Sequence, residues 1–384
     1  MECVKYLKKM CTKGPSFQNL IINTTGMLET MKKIIAGQFE DTSKTIDIKC
    51  FQLIANLCVQ NDVSQAKIWC SLGDVIIEKF NCDDYSFLNV AAMIVHNIIL
   101  SKHHDIDQKN ILDISLHQYS VYLKDPTNSL PDFLHILMDF MICENENILK
   151  IYTELSLENQ KTFLYYINDH VEDESSRIIS KSLVNHLIFE FKKKSDCILK
   201  TVTTYVDTID PDIVVVLLDI ISTATIQEKY LRTLREDRSL FLNLGCLLQA
   251  LHKIGKNAES IFSPIQKLEA LAMTSDVNSD FEKDFSYSMK TKLVKSLANL
   301  SHLNKKNQEL AREMEIMQSI FECTNADARN PLIKEWSILA IRNLCEDNPE
   351  NQEIVRSLTK VGDAENPLLK EMGLEEGMLR IGKQ

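Results

Sequence analysis

Apolar residues recur at steps of three and four through most of this chain, the period of helices that bury one face. Segments with that period also superpose on one another at longer range. FQLIANLCVQNDVSQAKI (51–68), KLVKSLANLSHLNKKNQEL (292–310) and WSILAIRNLCEDNPENQEI (336–354) align when Asn56, Asn299 and Asn343 are matched. Each of these asparagines is followed by Leu and, nine positions on, by a glutamine: Gln65, Gln308 and Gln352. Weaker copies put Lys9, with Gln18 nine later, and Asn97, Asp139, Asn185, Asp219 and Ala250 at the same mark. From Asn56 to Asn343 the marks fall 41, 42, 46, 34, 31, 49 and 44 residues apart, with a mean of 41. That is the period of armadillo and HEAT repeats, whose units bury a continuous core only by stacking. The pattern predicts an all-α, armadillo/HEAT-like, right-handed superhelical solenoid of about nine helical repeats, with the longest helix of each unit lining a concave face.

Local signals agree with helix. Asn330-Pro331 and Asn348-Pro349 each read as a side-chain cap followed by a first-turn proline. After the first, Leu332, Trp336, Leu339 and Asn343 share a face, which predicts Trp336 in the core; Trp69 reads the same way. The β-branched run Ile213 to Leu218 is in register with the repeat and reads as buried helix. The polar stretch 274–283 is the longest predicted loop, and it divides the chain into repeats over 1–275 and a C-terminal domain over 276–384. The tail from Gly362 reads as a capping helix or an extension.

Composition narrows the chemistry. Ten Gly and eight Pro in 384 residues are too few for a many-stranded β fold or for phosphate-cradling loops. A net charge of −11 disfavours nucleic acid and anionic membranes as partners. The apolar stretches Val90–Leu100 and Ile213–Ile221 are too short to span a bilayer, and the start, MECVKYLKKM, lacks the apolar region of a secretory signal. Eleven scattered cysteines without a C-x-x-C pair fit reduced, buried thiols of a cytosolic protein. His103, His104, Asp105 and Asp107 lack the spacing of a zinc site, and Gly255-Lys256-Asn257 lacks the rest of a phosphate loop. No metal, no cofactor and no enzymatic activity are therefore expected.

At the carboxyl end the motifs become specific. Asp284-Phe285, Asn299-Leu300 with Asn307-Gln308, Asn330-Pro331, Glu335-Trp336, Arg342-Asn343-Leu344, and Asn348 with Asn351-Gln352 resemble the C-terminal domain of the ataxin-10 family over roughly the last hundred residues. CVKYLKKMCTKGPSFQNLI is similar to that family's first helical repeat. The family usually has a Gly shortly after the N-Q helix, where this chain reads REMEIMQSI. The resemblance implies a non-catalytic, cytoplasmic armadillo-repeat protein, with perinuclear, midbody or centrosomal sites included. It also implies links to neuron survival, neurite outgrowth, cytokinesis and cilia. The partners it implies are O-linked N-acetylglucosamine transferase and a heterotrimeric G-protein β subunit.

The residues themselves leave two readings of the surface. An amide offers a donor and an acceptor together, so Asn56, Asn97, Asn185, Asn299 and Asn343 could hold an extended peptide along a concave groove. Alternatively, each amide bridges neighbouring helices and sets repeat geometry. Arg342 reads either as an ion-pair partner of Glu335 or as a surface contact. These six residues are the candidate partner-binding set of a protein-binding scaffold. An importin-like adaptor reading basic peptides is the alternative, and an end repeat with an open stacking face offers a route to homo-oligomers.

Overall fold

Helices begin where short polar side chains can take up free backbone N–H groups. Asn61, Asp84, Asp107, Asp210, Asp237 and Asn304 each accept such a bond from a residue two or three positions on. In the computed structural model, which describes residues 2–38, 43–101, 106–125, 127, 129–200, 210–257, 260–265 and 286–357, every regular element is a helix. The boundary expected near 275, the loop 274–283, His103 to Asp105 and the tail from Gly362 lie outside the described residues.

The chain forms two units, Met1–Tyr166 and Ile167–Gln384. The first holds α1 (Glu2–Cys11), α2 (Pro15–Ile22), α3 (Met27–Ile35), α4 (Lys44–Leu57), α5 (Asp62–Phe80), α6 (Tyr85–Leu100), α7 (Gln108–Lys124), α8 (Asp132–Cys143) and α9 (Ile148–Thr153). The division falls within α10 (Leu157–Glu172). The second unit continues with α11 (Lys181–Lys200), α12 (Pro211–Ala224), α13 (Glu228–Glu236), α14 (Arg238–Gly255), α15 (Met289–Ser301), α16 (Lys305–Glu313), α17 (Ile316–Glu322), α18 (Ile333–Cys345) and α19 (Pro349–Ser357).

Each unit is a stack of helical repeats of armadillo-like plan. In the first, α1, α4, α6 and α8 pack one on the next, while α3 lies against α5. In the second, α12, α15 and α18 form one row and α11, α14 and α17 the other. The cores run between rows: Phe51, Leu57, Ile68 and Phe80 are fully buried in the first unit, Phe241, Leu293 and Leu297 in the second. Ile213 to Leu218 lie within α12 as helix.

The repeat mark has a definite structural meaning. Asn56, Asn299 and Asn343 sit one or two residues from the ends of α4, α15 and α18. Four positions after each mark the backbone turns left-handed, at Gln60 (φ 51°), Leu303 (φ 51°) and Asp347 (φ 51°). Five positions after it stands an asparagine that caps the next helix: Asn61, Asn304 and Asn348 accept from Ser64, Asn307 and Asn351 N–H. Nine after it, the glutamine turns back onto the end of the helix just left. Gln65, Gln308 and Gln352 donate to the carbonyls of Cys58 (2.6 Å), Ser301 (3.4 Å) and Cys345 (2.9 Å).

The same glutamine also clasps the next repeat. Gln308 Nε2 donates to Asn343 O (2.9 Å) and Glu346 O (3.2 Å), while its Oε1 accepts from Asn348 Nδ2 (3.1 Å). In the first unit, Gln18 does this to Asn56 O (3.0 Å), Val59 O (3.1 Å) and Asn61 Nδ2 (2.8 Å). Gln18 and Gln308 are both buried, so these bonds face no competing water.

Three expectations need correction. Asn185 lies near the start of α11, and Ala250 lies on α14, in the other row of helices, so neither shares the register of Asn299 and Asn343; the irregular middle spacings have this origin. Asn330 does not cap its own helix. Leu332 is left-handed (φ 60°), α18 starts after it, and Asn330 Oδ1 instead accepts from Lys290 N–H (2.9 Å) in the first turn of α15. The inward face of α18 is accordingly Ile333, Ser337, Ala340 and Leu344, whose small middle members let α15 approach closely. Trp336 and Trp69 are half-buried rather than core residues.

Removing the clasp exposes its weight. Gln308→Ala leaves buried carbonyls and Asn348 Nδ2 without a partner and is expected to cost about 2–4 kcal/mol in denaturant unfolding. Gln352→Ala, which loses one bond of a half-buried side chain, should cost only about 1 kcal/mol. Glu315, exposed and left-handed (φ 55°) between α16 and α17, occupies a conformation natural to glycine. Glu315→Gly should therefore stabilise by about 1 kcal/mol; a loss of stability would show that the Glu315 side chain carries a compensating contact.

Candidate partner-binding surface

The expected asparagine ladder is placed unevenly. Asn343 is buried, and its Nδ2 donates to Ala298 O on the preceding helix of the row (2.9 Å). Asn299 is half-buried and donates to Thr225 Oγ1 (3.1 Å). Asn97 bonds back to Met93 O in its own helix (2.9 Å), and the Asn56 carbonyl receives Gln18. Asn185 is exposed. The amides with partners therefore join helices or helix turns. Arg342 is exposed, in line with Glu335 and Ile338 along α18, and no ion pair joins it to Glu335 among the described residues.

The surface chemistry of the row stands four and seven positions before the mark. Those positions carry Gln52 and Lys49, Lys295 and Lys292, and Leu339 and Trp336, all half-buried. Because the asparagine mark ends a helix, these side chains stand at fixed offsets before it in the same repeat alignment. In the second unit the set connects neighbours. Lys292 pairs with Asp219 of α12, and Lys295 Nζ lies 5.7 Å from the centre of the Trp336 ring on α18. Lys295 and Trp336 form a basic and aromatic flank beside Leu339, and Ile338 and Arg342 stand on the exposed side of α18, residue types found in protein contacts.

Burial sets the ionisation of this face. Burial lowers the Lys295 ammonium below the ordinary lysine range, against the pull of Asp219. The same burial raises the Asp219 carboxyl, with Lys292 opposing it. The thiols behave as small hydrophobes where they are covered: burial pushes Cys323 up to about 12 and raises Cys58 further, whereas Cys3 and Cys70 are exposed. Among the described residues no cluster of three metal-capable side chains occurs, and no helix is long and apolar enough to cross a membrane.

The Spinocerebellar ataxia type 10 protein domain matches residues 289–383. Ataxin-10 of Xenopus tropicalis is 26% identical over 97% of this chain and 78% of its own length, and that of Homo sapiens is 25% identical over 97% and 79%. An Ataxin-10 homolog of Dictyostelium discoideum is 47% identical over 93 residues, 24% of this chain and 15% of that protein. A designed armadillo repeat protein aligns over 83% of this chain and 99% of its own, with 10% identity and a TM-score of 0.27. That superposition is loose, and the fold assignment rests on the helix rows themselves.

The Asp219 pair allows a test of sign. A carboxyl whose folded pKa is raised binds its proton more readily in the native state, so stability falls as pH rises from the unfolded value through the folded one. Asp219→Asn removes that loss. Its stability relative to the parent should climb between pH 4 and 7 and end within about 1 kcal/mol of parity, because a partly buried pair returns little over its desolvation. Thermal melts across that range measure it; a relative stability that falls with pH would show the ion pair to be net stabilising.

Proposed function

We propose that this chain, similar to Ataxin-10 proteins over 97% of its length and to the ataxin type 10 domain over residues 289–383, is a non-enzymatic, cytoplasmic scaffold whose α12–α15–α18 row docks partner proteins. The observation that carries the reading is the half-buried Trp336 under Lys295, on a helix whose exposed side also carries Ile338 and Arg342. A large aromatic ring held by a neighbouring repeat and left open on one side is a preorganised anchor, and few residues of an interface carry most of its binding energy. Relatives named Ataxin-10 support extending the proposal to that family's setting: neuron survival and neurite outgrowth, cytokinesis, and cilia. O-linked N-acetylglucosamine transferase and a G-protein β subunit are the partners to try first.

The importin-like alternative is weaker on this geometry. The Asp219 carboxylate that could receive a basic peptide is already held by Lys292, and the neighbouring Lys295 and Arg342 repel one. The asparagines that would hold such a peptide are engaged with neighbouring helices at Asn299 and Asn343.

Affinity capture from cytosolic extract tests the scaffold. Arg342→Glu should melt like the parent and lose a discrete set of captured proteins, since an exposed charge contributes to contact and not to the core. Asn343→Ala should instead destabilise by about 1–3 kcal/mol. An unchanged capture profile for Arg342→Glu and Trp336→Ala, both folded, would move the binding surface off this row.

A further inference from the structure

The protein as a whole is acidic, yet cations outnumber carboxylates four to two in the lining of one cavity in the second unit. The cavity has a volume of ≈ 460 Å³ and lies between α13, the first residue of α14 and the start of α16. Arg232, Arg235, Arg238 and Lys306 line it, with Glu228 and Glu236 as the acidic members. Glu236 is already taken by Arg232 (3.7 Å) and Lys181 (3.9 Å). Asp237, beside the cavity, is committed to Lys192 (2.7 Å) and to capping α14 through Leu240 N–H.

Three cations are left without a carboxylate among the described residues. Arg235 spends one guanidinium nitrogen on Asn299 O (3.3 Å) and His302 Nδ1 (3.5 Å), while its Nε is buried with no partner. Arg238 and Lys306 are exposed and form no ion pair. Lys306 also stands in the first turn of α16, beside Lys305 and a neutral cap, Asn304, with no acidic residue in that turn. Cations at the positive end of a helix dipole are unfavourable. An anion seated there would reverse the sign of that interaction.

The rim adds an independent mark. Leu303 is left-handed (φ 51°) and 68% exposed. At the equivalent corners the residue is Gln60 or Asp347, so the turn itself does not call for an apolar side chain. A strained, exposed leucine beside an anion-seeking cavity supplies a hydrophobic contact next to charge recognition.

We propose that this cavity binds an acidic peptide segment of a partner protein, with carboxylates on Arg235, Arg238 and Lys306 and an apolar side chain against Leu303. The proposal deepens the scaffold reading and rests on it for the existence of partner proteins. It concerns a surface separate from Trp336 and Arg342, so the two fail separately.

The test uses the full chain and a dye-labelled short peptide carrying several glutamates and one leucine on a glycine-serine background, followed by fluorescence anisotropy. The expected result is saturable binding that weakens with salt, with no binding of the same peptide carrying lysine for each glutamate. Arg238→Gln combined with Lys306→Gln should weaken it about tenfold. Leu303→Gly should weaken it severalfold while raising the melting temperature, a combination that a purely structural leucine would not give. Arg342→Glu should leave it unchanged. Absence of binding, equal affinity in the folded double variant, or displacement by millimolar inorganic phosphate with no effect of Leu303→Gly would each overturn the assignment.

Discussion

The carboxamide of a buried glutamine, spent on the carbonyls of two helix ends at once, is the constraint on which the stack depends. A helix that stops leaves its last carbonyls unpaired, and in a repeat these ends would lie buried against the neighbour. Gln308 meets the need for α15 and α18 together, and Gln18 reaches α4 from the preceding repeat. Because one side chain bonds both ends, the distance between successive repeats is fixed by the reach of a glutamine, more narrowly than apolar packing alone would fix it. Asn343 to Ala298 O reinforces this from the row itself.

The period of the repeat and the helical class were legible because the same ten-residue corner recurs, and a recurring corner is a local event governed by caps and turn conformation. The partners of the corner's amides were harder to read. Asparagine and glutamine offer the same donor and acceptor to a peptide and to a helix end, so Asn299 and Asn343 fitted either role until their neighbours were known. Nor could apolar spacing orient α18. Leu332, Trp336 and Leu339 recur with helical period, but the closely packed face is the one with Ser337 and Ala340, where approach is limited by side-chain volume. The middle of the chain resisted for a related reason: Asn185 and Ala250 sit on helices that carry the apolar period without standing in the marked row.

Charge is organised against the overall balance. A chain of net −11 places Lys292, Lys295 and Arg342 along one row and Arg235, Arg238 and Lys306 around one cavity. On an acidic background such local basic regions hold attracted groups without making the whole molecule adhesive to polyanions. Half-burial sharpens the first of these: the Lys295 ammonium beside the Trp336 ring is less hydrated than a free lysine, so its contact with an incoming group loses less water.

The left-handed residue at each corner has an evolutionary consequence. Gln60, Leu303 and Asp347 share one backbone conformation, and all three side chains point outward and are exposed. Asparagine and aspartate adopt this conformation more readily than other residues with a side chain, and β-branched ones least, but the capping bonds around it do not involve the side chain at this position. The corner is thus a site where successive repeats can diverge in surface chemistry, from amide to aliphatic to acid, while the spacing of the helices beneath them stays the same. Diversity between repeats can accumulate there without any compensating change in the core.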